Sequence, residues 1–201
     1  MAIANGFAPI VQAVVAEMSP SHSMLDIEVT DTLENLGISP DLVPELAIRL
    51  YRTVGGSISG DYRDFAKLLS IGSDSSIAEV AAHFDRASFG SAEASVAASG
   101  GVKEPAEVVE TAVRTAIAAV SRTHSISEIR PTHTLRALSL EDVDITDVKT
   151  RVYRMLSGGR AHPSFSGYFK DARIGGATTV ADAAEILRKA FLPAVRRGAA
   201  E

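Results

Sequence analysis

Apolar residues recur at helical spacing in two pairs of segments, one member of each pair in either half of the chain. Intervals of three and four residues place such positions on one face of a helix. The first pair comprises Ile10, Val11, Val14, Val15 and Met18, with Val109, Val113, Ile117 and Val120. The second pair comprises Val43, Leu46, Leu50 and Val54, with Ile145, Val148, Val152 and Leu156. The pattern predicts two amphipathic helices in each half.

Helix-end signals add a further helix to each half. Ser76 is followed three residues later by Glu79, and Thr179 by Asp182, which is the spacing of a capping box. Glycine pairs at 55–56 and 158–159 predict where the second helices end. The stretches between the second and last helices are predicted to be loop with one short helix, which makes four helices per half.

The two halves also match residue by residue. His22-Ser23 corresponds to His124-Ser125, and Tyr51-Arg52 to Tyr153-Arg154, at an offset of 102 in both cases. After one inserted residue, Lys67 matches Lys170. The small, polar run at 87–101 is typical of a flexible linker. We therefore predict an all-α protein of two tandem four-helix bundles, 1–86 and 104–201, joined by an Ala/Ser/Gly linker at 87–103.

Composition narrows the class of protein. The chain has no cysteine, which excludes disulfides, thiolate metal ligands and a cysteine nucleophile. It has no apolar run of the roughly 20 residues that a membrane span needs, so we expect no membrane partner. No Lys or Arg precedes the first apolar stretch, so residues 1–18 do not resemble a secretory signal. We expect a cytoplasmic protein.

Charge is divided unevenly between the halves. Residues 1–100 hold 5 Lys and Arg against 13 Asp and Glu, whereas residues 101–201 hold 15 against 12. The halves could attract each other, meet different partners, or simply present two solvated surfaces. Neither half has the dense basic stripe that nucleic-acid binding requires, so no nucleic-acid partner is expected.

Catalytic and metal-binding patterns are not found. Asp142, Asp144 and Asp147 suggest a calcium loop, but there is no glycine at the sixth position and the twelfth is Tyr153. His22 and His124 have no companion ligands at metal-binding spacing and are expected to interact with helix ends. No Gly-x-Ser-x-Gly or phosphate-binding glycine motif occurs. We expect neither an enzyme nor a metal protein.

The helix order and two sequence strings resemble the acyl carrier protein family. The strings are Asp31-Thr-Leu-Glu-Asn-Leu-Gly37 with Ser76-Ile-Ala-Glu79, and residues 128–144 with Thr179-Val-Ala-Asp182. The resemblance implies a four-helix carrier whose phosphopantetheine arm is attached to a serine at the start of the second helix. Counted from the Leu-Gly match, that serine falls on Pro40 and Asp142. Because neither side chain has a hydroxyl, the arm is predicted to be absent.

The residues at these positions also have structural interpretations. Asp142 is expected to cap its helix and interact with the helix dipole. A helix starting at Asp41 would place Pro44 in the first turn, where a missing N–H costs little. Ser39 lies one position before Pro40 and is the alternative attachment site if the alignment is shifted.

One charged pattern recurs on the second helices. It comprises Glu45, Arg49 and Arg52 in the first half, and Asp147, Arg151 and Arg154 in the second. The spacing places each set on one face, where an acid–arginine pair four residues apart adds a few tenths of a kcal/mol to the helix. The resemblance implies in addition that this helix is the surface read by partner enzymes, with arginines replacing much of the usual acidity.

These observations lead to one hypothesis and two alternatives. The hypothesis is a non-catalytic tandem pseudo-carrier that binds or scaffolds synthase or tailoring enzymes of a polyketide or fatty-acid-type pathway, without an arm or other cofactor. The first alternative is a functional carrier with a shifted attachment serine. The second is a helical bundle that holds a hydrophobic acyl intermediate without a covalent bond.

Overall fold

Seven helices make up most of the part of the chain that the structure, a computed structural model, describes: residues 6–54, 71–89, 105–121, 123–158 and 165–198. They are α1 (Ala8–Met18), α2 (Val43–Val54), α3 (Ile77–Phe89), α4 (Pro105–Val120), α5 (Asp142–Ser157), α6 (Phe165–Asp171) and α7 (Val180–Gly198). Within these ranges the only β-pairing is two isolated bridges, Thr32 with Ser76 and Thr134 with Thr179. The predicted all-α class is confirmed for this part of the chain.

The helix ends follow the local sequence signals. Gly158 ends α5 in the left-handed conformation (φ 69°), and its N–H donates to the Arg154 carbonyl at 3.0 Å. The capping box at Ser76 forms in both directions: the Glu79 N–H donates to the Ser76 hydroxyl at 3.3 Å, and the Ser76 N–H donates to the Glu79 carboxylate at 2.8 Å. At Thr179 only half of the predicted box is found: the Asp182 N–H donates to the Thr179 hydroxyl at 3.1 Å, and the Asp182 carboxylate accepts from that hydroxyl instead of from the backbone N–H. In the first half, α2 begins at Val43 after a turn over 39–42, two residues later than predicted, and Pro44 still lies in its first turn.

The long loops of the two halves are held by equivalent hydrogen bonds. The Leu33 N–H donates to the Ser75 carbonyl, and the Leu135 N–H to the Thr178 carbonyl, each at 3.0 Å. Ser23 bonds Asp26 through its hydroxyl (2.6 Å), and Ser125 bonds Glu128 (2.8 Å). The offset of 102, or 103 after the insertion, is thus repeated in the contacts.

Helix α1 is buried on all sides rather than along one face. Every residue from Pro9 to Ala16 is buried, which contradicts the single apolar face predicted for it. The cause is its position: α1 contacts α2 and α3 of its own half, and also α4 and α5 of the other half. The buried apolar side chains of both halves accordingly form one continuous core.

The domain boundaries remain predictions. Helix α3 extends to Phe89, so the first three residues of the predicted linker are helical, and 90–103 lie outside the described residues. The predicted stops at 55–56 and 159 also lie outside them. The predicted short helix is found in the second half as α6, whereas its first-half counterpart lies in a part that is not described. No described helix combines the length and apolarity needed to cross a membrane.

Candidate functional site

The first position aligned with the carrier serine lies in the turn before α2. Pro40 is exposed, and Ser39 beside it is half-buried. The Ser39 carbonyl accepts the Leu42 N–H at 2.9 Å, which closes the turn. The Ser39 side chain lowers the pKa of the exposed Asp41 carboxyl below its usual value.

The second aligned position is the first residue of α5. Asp142 is exposed, as is Val143 after it, which is 71% accessible. The N-cap is Glu141, whose N–H donates to the Asp144 side chain at 2.9 Å in a capping box. The prediction that Asp142 caps the helix is therefore wrong by one residue. Asp142 still contributes negative charge in the first turn, where the helix dipole favours it.

The repeated charged pattern divides into an inward and an outward part. Glu17, whose side chain is only 4% exposed, accepts hydrogen bonds on Oε1 from Nη1 of Arg49 (3.0 Å) and of Arg151 (2.8 Å). The Nε of each arginine donates to the acid of its own helix, Glu45 at 2.9 Å or Asp147 at 3.0 Å. The two arginines thus join the halves through one carboxylate, which the sequence interpretation did not foresee.

The remaining members of the pattern face solvent. Arg52 and Arg154 are exposed, and the side chains of Glu45 and Asp147 are 47% and 48% exposed. A surface that a partner could contact is therefore formed by these four residues, with Arg49 and Arg151 occupied from within the chain.

A cleft of about 330 Å³ opens between the end of α4 and the start of α5. Its lining is mainly polar: Ser121, Thr123, Ser139, Glu141 and Asp144, with Val120, Leu140 and Val143. Ser139 has a positive φ of 60°, which is costly for a residue other than glycine. Such a lining suits a polar group better than the acyl chain of the second alternative.

The histidines that match between the halves have hydroxyl neighbours. Nδ1 of His22 lies 3.3 Å from the Ser19 hydroxyl, and Nδ1 of His124 lies 3.4 Å from that of Ser121. No cluster of three or more metal-binding side chains occurs among the residues described. His22 and His124 lie in the loops that follow α1 and α4, where their hydrogen-bond neighbours are serine hydroxyls.

An aromatic cluster in the second half was not predicted from the sequence. Tyr153 of α5 contacts Phe165 and Tyr168 of α6 and Phe191 of α7, with ring centroids 4.8, 5.0 and 6.0 Å away. The Tyr168 hydroxyl donates to the Lys149 carbonyl at 3.2 Å, and burial raises the pKa of Tyr168. The cluster attaches α6 to the core, and the spacing of these aromatics gives no periodic signal that would have revealed it.

Comparison of the chain with protein-family profiles, with curated proteins and with solved structures gave no significant match. The carrier resemblance therefore depends on the residues quoted above.

Proposed function

We propose that the chain is a non-catalytic tandem pseudo-carrier, which binds or scaffolds enzymes of a polyketide or fatty-acid-type pathway without a phosphopantetheine arm. The observation that carries the proposal is the chemistry at the two aligned positions. Pro40 and Asp142 are both exposed, but neither has the hydroxyl that a phosphodiester link requires. A carrier-like order of helices with both attachment points lost suggests binding without cargo.

Ser39 is the nearest hydroxyl to the first position, and two observations support this proposal over the shifted-carrier alternative. Ser39 is half-buried, which limits the access of a transferase to it. The second half has Leu140 and Glu141 before Asp142, so a shift of one or two positions finds no hydroxyl there.

The partner surface consists of the four outward residues, Glu45, Arg52, Asp147 and Arg154. Each helix presents an acid and an arginine seven residues apart, so a partner would need both an acidic and a basic group for each helix. Exposed charges at the rim of an interface act mainly on the association rate and on selectivity. The partner would therefore differ from enzymes that read a uniformly acidic carrier helix.

The test is a set of affinity measurements against each purified synthase and tailoring enzyme encoded beside this gene. We expect at least one to bind, and the double variant R52E/R154E to weaken it by about tenfold, mainly through slower association. The matched control is R130E/R173E, which reverses two other exposed arginines. Absence of binding to every enzyme would contradict the proposal, as would equal losses in the two double variants.

A further inference from the structure

The two halves exchange equivalent backbone hydrogen bonds. The Met24 N–H donates to the Met155 carbonyl at 2.8 Å, and the Ile126 N–H donates to the Thr53 carbonyl at 3.2 Å. Met24 and Ile126 are 102 residues apart, and so are Thr53 and Met155. The same bond is therefore made once in each direction across the junction between the halves.

The helix contacts have the same reciprocity. At the offset of 102, α1 corresponds to α4, and α2 corresponds to α5. The contact of α1 with α5 is therefore equivalent to the contact of α4 with α2, and both contacts are found. The contact of α1 with α4 joins two corresponding helices to each other. In oligomers this pattern defines an isologous interface, in which the same patch of both subunits is used around a two-fold axis. The halves are arranged like two subunits of such a dimer.

The junction departs from this symmetry at the buried carboxylate of Glu17. The residue that corresponds to Glu17 is Ala119, so one carboxylate serves Arg49 and Arg151 together. A pair of two second halves would bring two copies of Arg151 together with no equivalent of Glu17. Glu17 thus disfavours the pairing of two second halves.

We propose that this junction is also a pairing surface for a second copy of the chain. The first half of each copy would contact the second half of the other, which forms both junctions in an exchanged dimer. The contacts in each junction would be the same as those within the single chain. The two halves are connected by the 15 residues 90–104 between α3 and α4, which is the length of chain available to link the halves of an exchanged dimer. Exchange of equivalent elements is a low-cost route to a dimer because it needs no new interface.

A charge exchange between two full-length variants tests this pairing. In E17R, an arginine would face Arg151; in R151E, a glutamate would face Glu17. An exchanged dimer of one E17R chain and one R151E chain contains two different junctions. In one junction Glu17 faces Arg151, as in the natural protein. In the other junction the new arginine at position 17 faces the new glutamate at position 151. We expect a heterodimer, at about tenfold or more above the dimer of either variant alone, because matched charges replace repelling ones. Native mass spectrometry with one variant isotopically labelled measures it.

The matched control is R173E, which reverses an exposed arginine outside the four helices α1, α2, α4 and α5 of the junction and should form no excess heterodimer with E17R. Wild-type protein, refolded at high concentration and separated by size with light-scattering detection, provides a readout without substitutions. We expect a dimer fraction whose dissociation is slow. A wild-type protein that is monomeric at every concentration, or variants that fold but form no excess heterodimer, would overturn the proposal.

Discussion

Replacement of Glu17 by alanine should destabilise the chain substantially, although the residue lies far from both aligned serine positions in sequence. The side chain is almost fully buried and accepts two charge-assisted hydrogen bonds. Removal of one member of a buried charge cluster costs about 3–5 kcal/mol when the remaining charges are left unpaired. Here Arg49 and Arg151 retain Glu45 and Asp147 and are 35% and 26% exposed. We therefore expect a smaller loss of about 2–3 kcal/mol.

The two-fold arrangement makes a more specific prediction from the same site. A glutamate at position 119, which corresponds to 17, should approach the same two arginines from the other side of the axis. The double variant E17A/A119E should therefore recover about half or more of the stability that E17A loses. Helix propensity opposes this recovery only weakly, since Glu is a good helix former.

Chemical denaturation with a circular-dichroism readout measures these changes in the free energy of unfolding. The control is E17A/A177E, which has the same net charge but carries the new acid on an exposed loop residue. Equal stability of the two double variants would refute the two-fold reasoning. A loss below about 0.5 kcal/mol for E17A itself would refute the magnitude, because surface substitutions change stability by that amount.

Two further predictions concern the junction and the loops. Gly158→Ala should cost about 2 kcal/mol or more, because a Cβ there would lie 2.7 Å from the backbone of His22 and Ser23 at a positive φ; a stability equal to wild type in thermal unfolding would contradict it. The pKa of Glu128 is lowered by the Ser125 N–H and hydroxyl, and that of Glu79 by the Ser76 N–H and hydroxyl. Because these pKa values are lower in the folded chain, the two carboxylates stabilise the folded state at a pH above the pKa of an unfolded glutamate, near 4.5. This stabilisation is lost as the pH falls through the lower pKa of the folded state. Urea unfolding between pH 6 and 3 should show this loss, reduced in Glu128→Gln, and an unchanged slope in the variant would contradict the assignment.

The elements of the fold were largely predictable because their signals are local. The spacing of Leu46 and Leu50 follows from helical geometry, and the capping hydrogen bonds at Ser76 and Thr179 involve segments of only four residues each. Helix α1 was only partly foreseen. Its run of apolar residues from Ala8 to Ala16, broken by Gln12 alone, is typical of a helix buried on all sides, and this signal was available.

The junction could not be predicted in the same way. Arg49 and Arg151 have the spacing of ordinary surface pairs, and their second partner, Glu17, comes from a different helix. Only tertiary structure brings these three side chains together. One signal existed in the alignment of the halves: an acid near the end of α1 corresponds to Ala119 in α4. The same helices also differ in charge at Gln12, which corresponds to Arg114, so this signal alone would have named Glu17 only as one of several candidate contacts.

The pseudo-carrier proposal requires that neither half carries a phosphopantetheine arm. The decisive experiment measures the intact mass of the protein, denatured and native, after incubation with coenzyme A and a broad-specificity phosphopantetheinyl transferase, with an authentic carrier as positive control. We expect no mass gain in the denaturing spectrum. An extra mass in the native spectrum alone would favour the non-covalent binder over scaffolding. A covalent gain, mapped by peptide analysis to Ser39 or any other serine, would show that the chain is a functional carrier.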